Sequence, residues 1–149
     1  MTLDELAASL PNGFHDAELS ALTIDYTKSE ARLVLDVWIG DMGAKPDGER
    51  EAYRLAELAL SGLLFWVSEP PHADYPYDIA SGLKIDIGPL ERCDGKDRAK
   101  LPPIPVGAFE NWVFVDDWNA FAYVAAKDAS LKWLSDKTIR HYPAPRPGA

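Results

Sequence analysis

The segment FENWVFVDDWNAFAYVAA, residues 109–126, decides the fold of this chain because it predicts a β-hairpin buried on at least one face. It holds six of the 16 aromatic residues (five Trp, six Tyr and five Phe). Successive side chains of a strand point to opposite faces, so alternate residues share a face. One predicted face of the first strand holds Phe109, Asn111, Val113 and Val115, and the other holds Trp112 and Phe114. The alternation resumes at Phe121, Tyr123 and Ala125, as expected for the returning strand.

The joint between these two strands consists of Asp116, Asp117, Trp118 and Asn119. Aspartate and asparagine side chains bond to their own backbone, and therefore favour turns. The preferred interpretation is that all four residues build the turn. The alternative is a binding site for a cation or a sugar, formed by an aromatic ring beside carboxylate and amide groups.

Towards the N-terminus, a second antiparallel hairpin is predicted by two alternating runs. Leu22, Ile24 and Tyr26 alternate with polar residues, and the polar turn at 28–30 follows. Apolar residues then occupy every second position of the next run, at Leu33, Leu35, Val37 and Ile39. Such runs with a short polar joint are typical of a hairpin.

Residues 50–67 fit two structures. The positions of Arg50, Arg54 and Glu57 suit one face of a helix, with apolar residues opposite. Alternation along residues 53–60 and the break at Ser61-Gly62 favour a strand instead, and the strand is the prediction adopted here.

The remaining segments complete a single predicted domain over residues 1–149. Thr2 and Glu5 form a capping box for a short helix that ends at Pro11-Asn12-Gly13. Ile79, Leu83, Ile85 and Ile87 predict a strand ending at Gly88-Pro89, and residues 130–134 extend the last strand or form a short helix. Loops are predicted at 40–48, 69–78 and 91–108, and an irregular tail at 142–149. The fold class is therefore mainly β (α+β), with five to seven strands in an antiparallel half-barrel or sandwich and one N-terminal helix.

The composition limits the classes of partner. A net charge of −9 and a pI near 4.7 argue against nucleic acid or an anionic membrane and suit a basic protein partner.

The single cysteine, Cys93, excludes an internal disulfide, and its acidic neighbours disfavour a reactive thiolate. The first ten residues lack a basic n-region and no apolar run could span a bilayer, so a cytoplasmic location is predicted. No cofactor and no metal site is predicted.

Histidines are the residues that could carry chemistry, and there are three. His15 and Asp16 are adjacent, and in an extended chain they would point to opposite faces, so a site would need Asp116 or Asp117 as partners. The preferred interpretation is that His15 or Asp16 caps backbone amides where the helix leads into the sheet. His72 and Asp74, with Asp78 nearby, offer too few ligands for the three or four that zinc normally recruits.

The proline-rich loop at 72–77 contains Tyr75 and Tyr77. Tyrosines on a rigid loop suit protein recognition, although loop tyrosines more commonly lie back over the edge of a core. No nucleophile elbow, phosphate-binding loop, dinucleotide fingerprint or H-E-x-x-H motif occurs in the sequence.

The opening F-H-D-A-E-L at Phe14–Leu19, followed by LTIDY at 22–26 and LVLDV at 33–37, resembles a group of small, largely uncharacterised bacterial proteins. Some members with this opening are classed as immunity proteins of polymorphic toxin systems. The resemblance covers about residues 14–66, implies a strand at Tyr53–Leu63, and implies no catalytic residues.

The leading functional prediction is thus a non-enzymatic protein-binding module, with an immunity-like role as its particular form. One alternative is a small-molecule or metal-dependent enzyme that gathers His15, Asp16, Asp116 and Asp117 in a cleft. The other is a homodimer formed through an unpaired edge strand.

Overall fold

The computed structural model describes residues 1–44, 48–75, 82–92 and 100–141, and this part of the chain is mainly β. One helix, α1, spans Leu3–Ala8. Nine strands follow in chain order: β1 (Ala17–Asp25), β2 (Glu30–Trp38), β3 (Ala52–Ser61), β4 (Phe65–Ser68), β5 (Leu83–Pro89), β6 (Phe109–Val115), β7 (Ala120–Ala126), β8 (Asp128–Trp133) and β9 (Thr138–Ile139).

All nine strands belong to one antiparallel sheet, which confirms the predicted fold class. The strand order is β4-β7-β6-β5-β1-β2-β3-β8, and β9 pairs with β3. The count of five to seven strands was too low. Residues 52–68 contain two strands separated by a bend, and the short strand β9 shows no alternation that a sequence pattern could reveal.

The hairpin at 109–126 lies where the sequence predicts it. Phe109 pairs with Ala126 and Val115 with Ala120, so β6 and β7 are in register along their whole length. The predicted inner face of β6 is buried, including Asn111, the one buried polar residue among those described. Trp112 and Phe114 lie on the other face, where both rings contact Phe121.

The N-terminal hairpin is also confirmed. β1 and β2 pair from Asp25–Glu30 to Glu18–Asp36, with one extra residue, Ser20, bulging from β1. The alternating residues Leu33, Leu35 and Val37 are fully buried. The ambiguous segment forms strand β3, because it pairs with β2 on one side and β8 on the other. Pairing on both sides overrides its helical spacing.

Two bent segments curl the sheet. β3 and β4 are joined by residues 62–64, and β7 and β8 by Lys127 alone. Ser61 pairs with Asp128 before the bend and Phe65 with Ala125 after it. Residues 52–68 and 120–133 therefore form one bent antiparallel ribbon, and its two halves lie at opposite ends of the strand order. The bend brings these ends towards each other and encloses the core.

Helix α1 begins with the predicted capping box. Thr2 accepts a hydrogen bond from the backbone of Glu5, and the Glu5 carboxylate accepts one from the backbone of Thr2. Leu3 and Leu6 enter the core beside Phe14. The helix contacts β8, so it lies against the curled sheet.

Within the predicted loops at 69–78 and 91–108, the described residues 69–75 and 100–108 contain no helix or strand, whereas Glu91 and Arg92 belong to a turn of 3-10 helix, Leu90–Arg92. The predictions for Tyr77, Asp78, Ile79, Cys93 and the tail at 142–149 lie outside the described residues. None of the helices described is long and apolar enough to cross a membrane.

Candidate functional site

His15, Asp16 and Asp86 form a compact cluster beside the start of β1. His15 Nδ1 lies 2.7 Å from Asp86 Oδ1, and Nε2 lies 3.4 Å from Asp16 Oδ2. One ligand atom from each residue lies within 4.8 Å of the others. Lys84 Nζ approaches the second carboxylate oxygen of Asp16 at 3.5 Å. The cluster thus combines one imidazole, two carboxylates and one ammonium group.

The prediction that His15 and Asp16 point apart is wrong, because the chain is not extended there. Asp16 has a φ of 55° in the left-handed region, and backbone hydrogen bonds link His15 to Asn12 and Ala17 to Phe14. This turn swings both side chains towards β5. The long-range partner is Asp86 rather than Asp116 or Asp117, because β1 pairs with β5, with Ala17 opposite Ile85.

The residues between β6 and β7 build a turn, as the preferred interpretation predicts. Asp116–Trp118 form one turn of 3-10 helix, and Asn119 closes it with a φ of 47° and a backbone hydrogen bond to Asp116. Asp117 does more than this, since its carboxylate accepts a hydrogen bond of 2.7 Å from the backbone of Lys84. The Trp118 backbone carbonyl accepts from the backbone of His72.

The loop at 69–75 folds back on this turn. The Tyr75 and Trp118 rings meet edge to face with centroids 6.0 Å apart. His72 Nδ1 accepts a hydrogen bond from the backbone of Asp74 and lies 3.5 Å from its carboxylate. Two neighbouring ligand groups of this kind are a local turn contact, and Asp78, the third predicted group, lies outside the described residues.

A furrow lined by acidic residues runs along one side of the molecule. It consists of two adjoining depressions, of about 440 and 230 Å³, that share Asp4 and Pro89. Among the described residues, its charged lining consists of Asp4, Asp86, Glu91 and Glu110. Leu90, Ile104, Phe109 and Trp112 supply apolar surface between the carboxylates. We call these residues the acidic furrow.

Buried groups hold the walls of the acidic furrow in place. The fully buried amide of Asn111 donates hydrogen bonds to the Asp4 carboxylate at 2.8 Å and to the Gly88 carbonyl at 3.0 Å. Trp112 lies directly on Gly88, where an added Cβ would come within 2.3 Å of the indole ring. Any larger residue at position 88 would therefore displace this wall.

An apolar cavity of about 260 Å³ lies at another place in the curled sheet. Its lining includes Trp66 and Trp118, with Val113, Val115 and Leu19. The Trp118 Nε1 group is buried and has no hydrogen-bond partner among the described residues. Trp118, one of the residues that line the cavity, therefore has an unsatisfied buried donor.

A third cluster, in which Arg140 binds the carboxylates of Glu18 and Asp36, lies next to the His15 cluster. Arg140 bonds Glu18 through both of its terminal nitrogens, bonds Asp36 through one of them, and stacks 3.7 Å above the Tyr53 ring. Partial burial lowers the pKa of Arg140, but the hydrogen bonds and charges of Glu18 and Asp36 together outweigh it, so the pKa of Arg140 is raised above its ordinary value. We call this group the Arg140 clamp. No local pattern in the sequence indicates this clamp, because Arg140 and its two acidic partners are more than a hundred residues apart.

The fold and these sites define a mainly β protein with one acidic furrow and one exposed histidine–carboxylate cluster. No protein-family model, curated protein or solved structure matches the chain. The resemblance to proteins with an F-H-D opening stays a prediction.

Proposed function

We propose that this protein is a non-enzymatic binding module that receives a basic segment of another protein in the acidic furrow. The observation that carries the proposal is the lining, in which four carboxylates have apolar side chains between them. Lysine and arginine have apolar stems and charged ends, so they suit a surface of this composition. The net charge of −9 would also speed the approach of a basic partner.

The described residues support binding over catalysis. The enzyme alternative requires His15, Asp16, Asp116 and Asp117 to converge in one cleft. Asp117 is instead bonded to the backbone of β5, and Asp116 accepts the backbone bond that closes the turn. His15 is 57% exposed and does not line any of the three depressions described above.

An immunity-like role in the bacterial cytoplasm is the particular form of this proposal, and the F-H-D opening is what favours it. A partner of that kind would be a basic protein whose active surface the module covers. Charge complementarity then gives fast association and selects against acidic partners.

Two variants with equal charge test the acidic furrow. Asp4→Asn with Glu91→Lys removes charge from the furrow and leaves Asn111 an acceptor at position 4. Asp74→Asn with Asp136→Lys changes the net charge by the same amount at exposed positions outside it. We expect short labelled peptides of alternating lysine and leucine to bind the wild type. Their affinity for the furrow variant should be about tenfold lower, and their affinity for the control variant should lie within about twofold of that for the wild type.

The same pair of variants then tests the natural partner. Proteins captured by the wild type from the native cell would be identified, purified and titrated against all three forms. Equal losses in both variants would mean that only the overall charge attracts cations, and equal binding of acidic and basic peptides would refute the proposal.

A homodimer through an edge strand is the second candidate, and one observation favours it. β4 is a terminal strand of the sheet, and Val67 and the neighbouring Leu64 are both more than 40% exposed. Light scattering after size exclusion shows whether the protein is a monomer or a dimer. If β4 forms a dimer interface, Val67→Lys should convert the dimer to a monomer without affecting peptide binding.

A further inference from the structure

We propose that His15, Asp16 and Asp86 bind a divalent transition-metal ion, with zinc as the ion that fits their chemistry best. The inference does not rest on the proposed function, because it is argued from the contacts of His15 and Asp16, which lie outside the acidic furrow; only Asp86 belongs to both groups. Imidazole nitrogen and carboxylate oxygen are both zinc ligands, and exposed sites with three protein ligands leave a position open for water or another molecule.

The arrangement of the imidazole ring is the first argument. Both ring nitrogens of His15 face carboxylate oxygens, Nδ1 towards Asp86 and Nε2 towards Asp16. A neutral imidazole has one N–H donor and one lone pair, while ionised carboxylates only accept. If Nδ1 donates to Asp86, the lone pair of Nε2 faces an oxygen of Asp16. A proton or a metal ion between these two atoms removes the conflict.

The separations favour a metal ion. The 2.7 Å between Nδ1 and Asp86 Oδ1 is an ordinary hydrogen bond, but the 3.4 Å between Nε2 and Asp16 Oδ2 is too long for a good one. Two ligands about 2.1 Å from a tetrahedral zinc lie about 3.4 Å apart. The gap between His15 and Asp16 thus equals one edge of a zinc site.

Asp86 serves the same site in either of two ways. Its bond to Nδ1 fixes the ring and its tautomer, as carboxylates commonly do for zinc-bound histidines. Alternatively, a metal ion that replaces the proton on Nδ1 takes the Asp86 carboxylate as a direct ligand, and one ligand atom from each of the three side chains lies within 4.8 Å of the others. Trp38 flanks the ring, with centroids 6.0 Å apart, and limits its movement away from β5.

Lys84 gives the proposal its sharpest test. Its ammonium group lies 3.5 Å from Asp16 Oδ1 and repels a cation bound at the adjacent oxygen. Lys84→Met should therefore strengthen zinc binding. If the cluster is only a set of surface ion pairs, the same substitution removes one ion pair and creates no affinity.

The experiment is a calorimetric titration of zinc chloride into protein freed of metal, followed by cobalt(II) absorption spectra that report the coordination geometry. We expect one zinc per chain for the wild type, a loss of at least about 100-fold in affinity for His15→Ala, and a gain of about tenfold for Lys84→Met. His72→Ala is the matched control, because His72 also lies beside an aspartate. The His72→Ala protein should bind zinc with the same affinity as the wild type.

Several outcomes would overturn the proposal. These are the absence of saturable binding up to about 1 mM zinc, unchanged binding in His15→Ala, equal losses in His15→Ala and His72→Ala, or weaker binding in Lys84→Met. Circular dichroism of each variant shows that it is folded. Asp16→Asn, which keeps the size of the side chain, provides a second test should His15→Ala fail to fold.

Discussion

Two pairs of carboxylates lie around the start of β1, and each pair shares one nitrogen-bearing side chain. Glu18 and Asp36 share the guanidinium of Arg140, which is always charged and fixed in place by Tyr53. Asp16 and Asp86 share the imidazole ring of His15, which is more than half exposed. The comparison indicates that the Arg140 clamp stabilises the fold, whereas the His15 cluster retains the freedom to bind a cation.

Removal of Arg140 should have the largest effect on stability. Arg140→Met leaves Glu18 and Asp36 as a partly buried pair of like charges, and should lower the free energy of unfolding by about 2 kcal/mol. Urea denaturation measures this change. Arg140→Lys keeps the charge but lacks the planar guanidinium that bonds Glu18 twice and stacks on Tyr53, so its stability should fall between those of the wild type and Arg140→Met. An unchanged midpoint in Arg140→Met would show that the clamp contributes nothing to folding.

Two effects of removing Arg140 can be separated: the lost attraction between Arg140 and the two acids, and the repulsion between Glu18 and Asp36 that remains. Glu18→Gln and Asp36→Asn, introduced into the Arg140→Met protein, should recover about half of the lost stability, because the remaining pair is then uncharged. The measurement is the same denaturation, analysed as a mutant cycle. A further decrease instead of a recovery would mean that the side chains stabilise the fold by packing alone.

The corresponding change in the His15 cluster should barely affect stability. His15→Ala removes an exposed ion pair, so the free energy of unfolding should change by no more than about 0.5 kcal/mol. A loss comparable to that of Arg140→Met would place both groups in the same structural role and would remove the contrast between them.

The smallest effect is expected at Asp25, whose carboxylate is held mainly by a hydroxyl and by backbone amides. Hydrogen bonds from the Thr27 hydroxyl and then from the Lys28 backbone lower the pKa of Asp25 below its ordinary value of 3.8. The folded state therefore gains stability above that value and loses it as the pH falls through the lower pKa. The difference between wild type and Asp25→Asn should be greatest above pH 3.8 and disappear in stronger acid.

That difference is measured by thermal unfolding between pH 2 and 6, a range of about two units either side of an ordinary carboxyl pKa. A constant difference across this range would show that protonation of Asp25 has no part in it.

Local patterns in the sequence predicted most of the strands. The hairpin at 109–126, the β1–β2 hairpin and the capping box of Thr2 and Glu5 follow from alternation, turn residues and helix-start signals that act over a few positions. The choice of strand over helix for residues 50–67 is confirmed over 52–61 and 65–67. These features are predictable because each depends on neighbours along the chain.

Contacts between distant segments could not be predicted in this way. Asp86 meets His15 across 71 positions only because β5 pairs with β1, and that pairing depends on the register of the whole sheet. The left-handed turn at Asp16 reversed the expected direction of two candidate side chains. The acidic furrow likewise needs α1, β5 and β6 to be brought together.

The most direct test of the contrast between the two groups is a nitrogen-15 NMR experiment that records the histidine ring and arginine side-chain signals before and after zinc addition. We predict that the His15 Nε2 signal moves to a metal-bound position, while the Arg140 signals and those of His72 and His141 stay in place. Movement of all three histidines together, or no movement at His15, would contradict the conclusion that this cluster is a binding site and the Arg140 clamp a structural one.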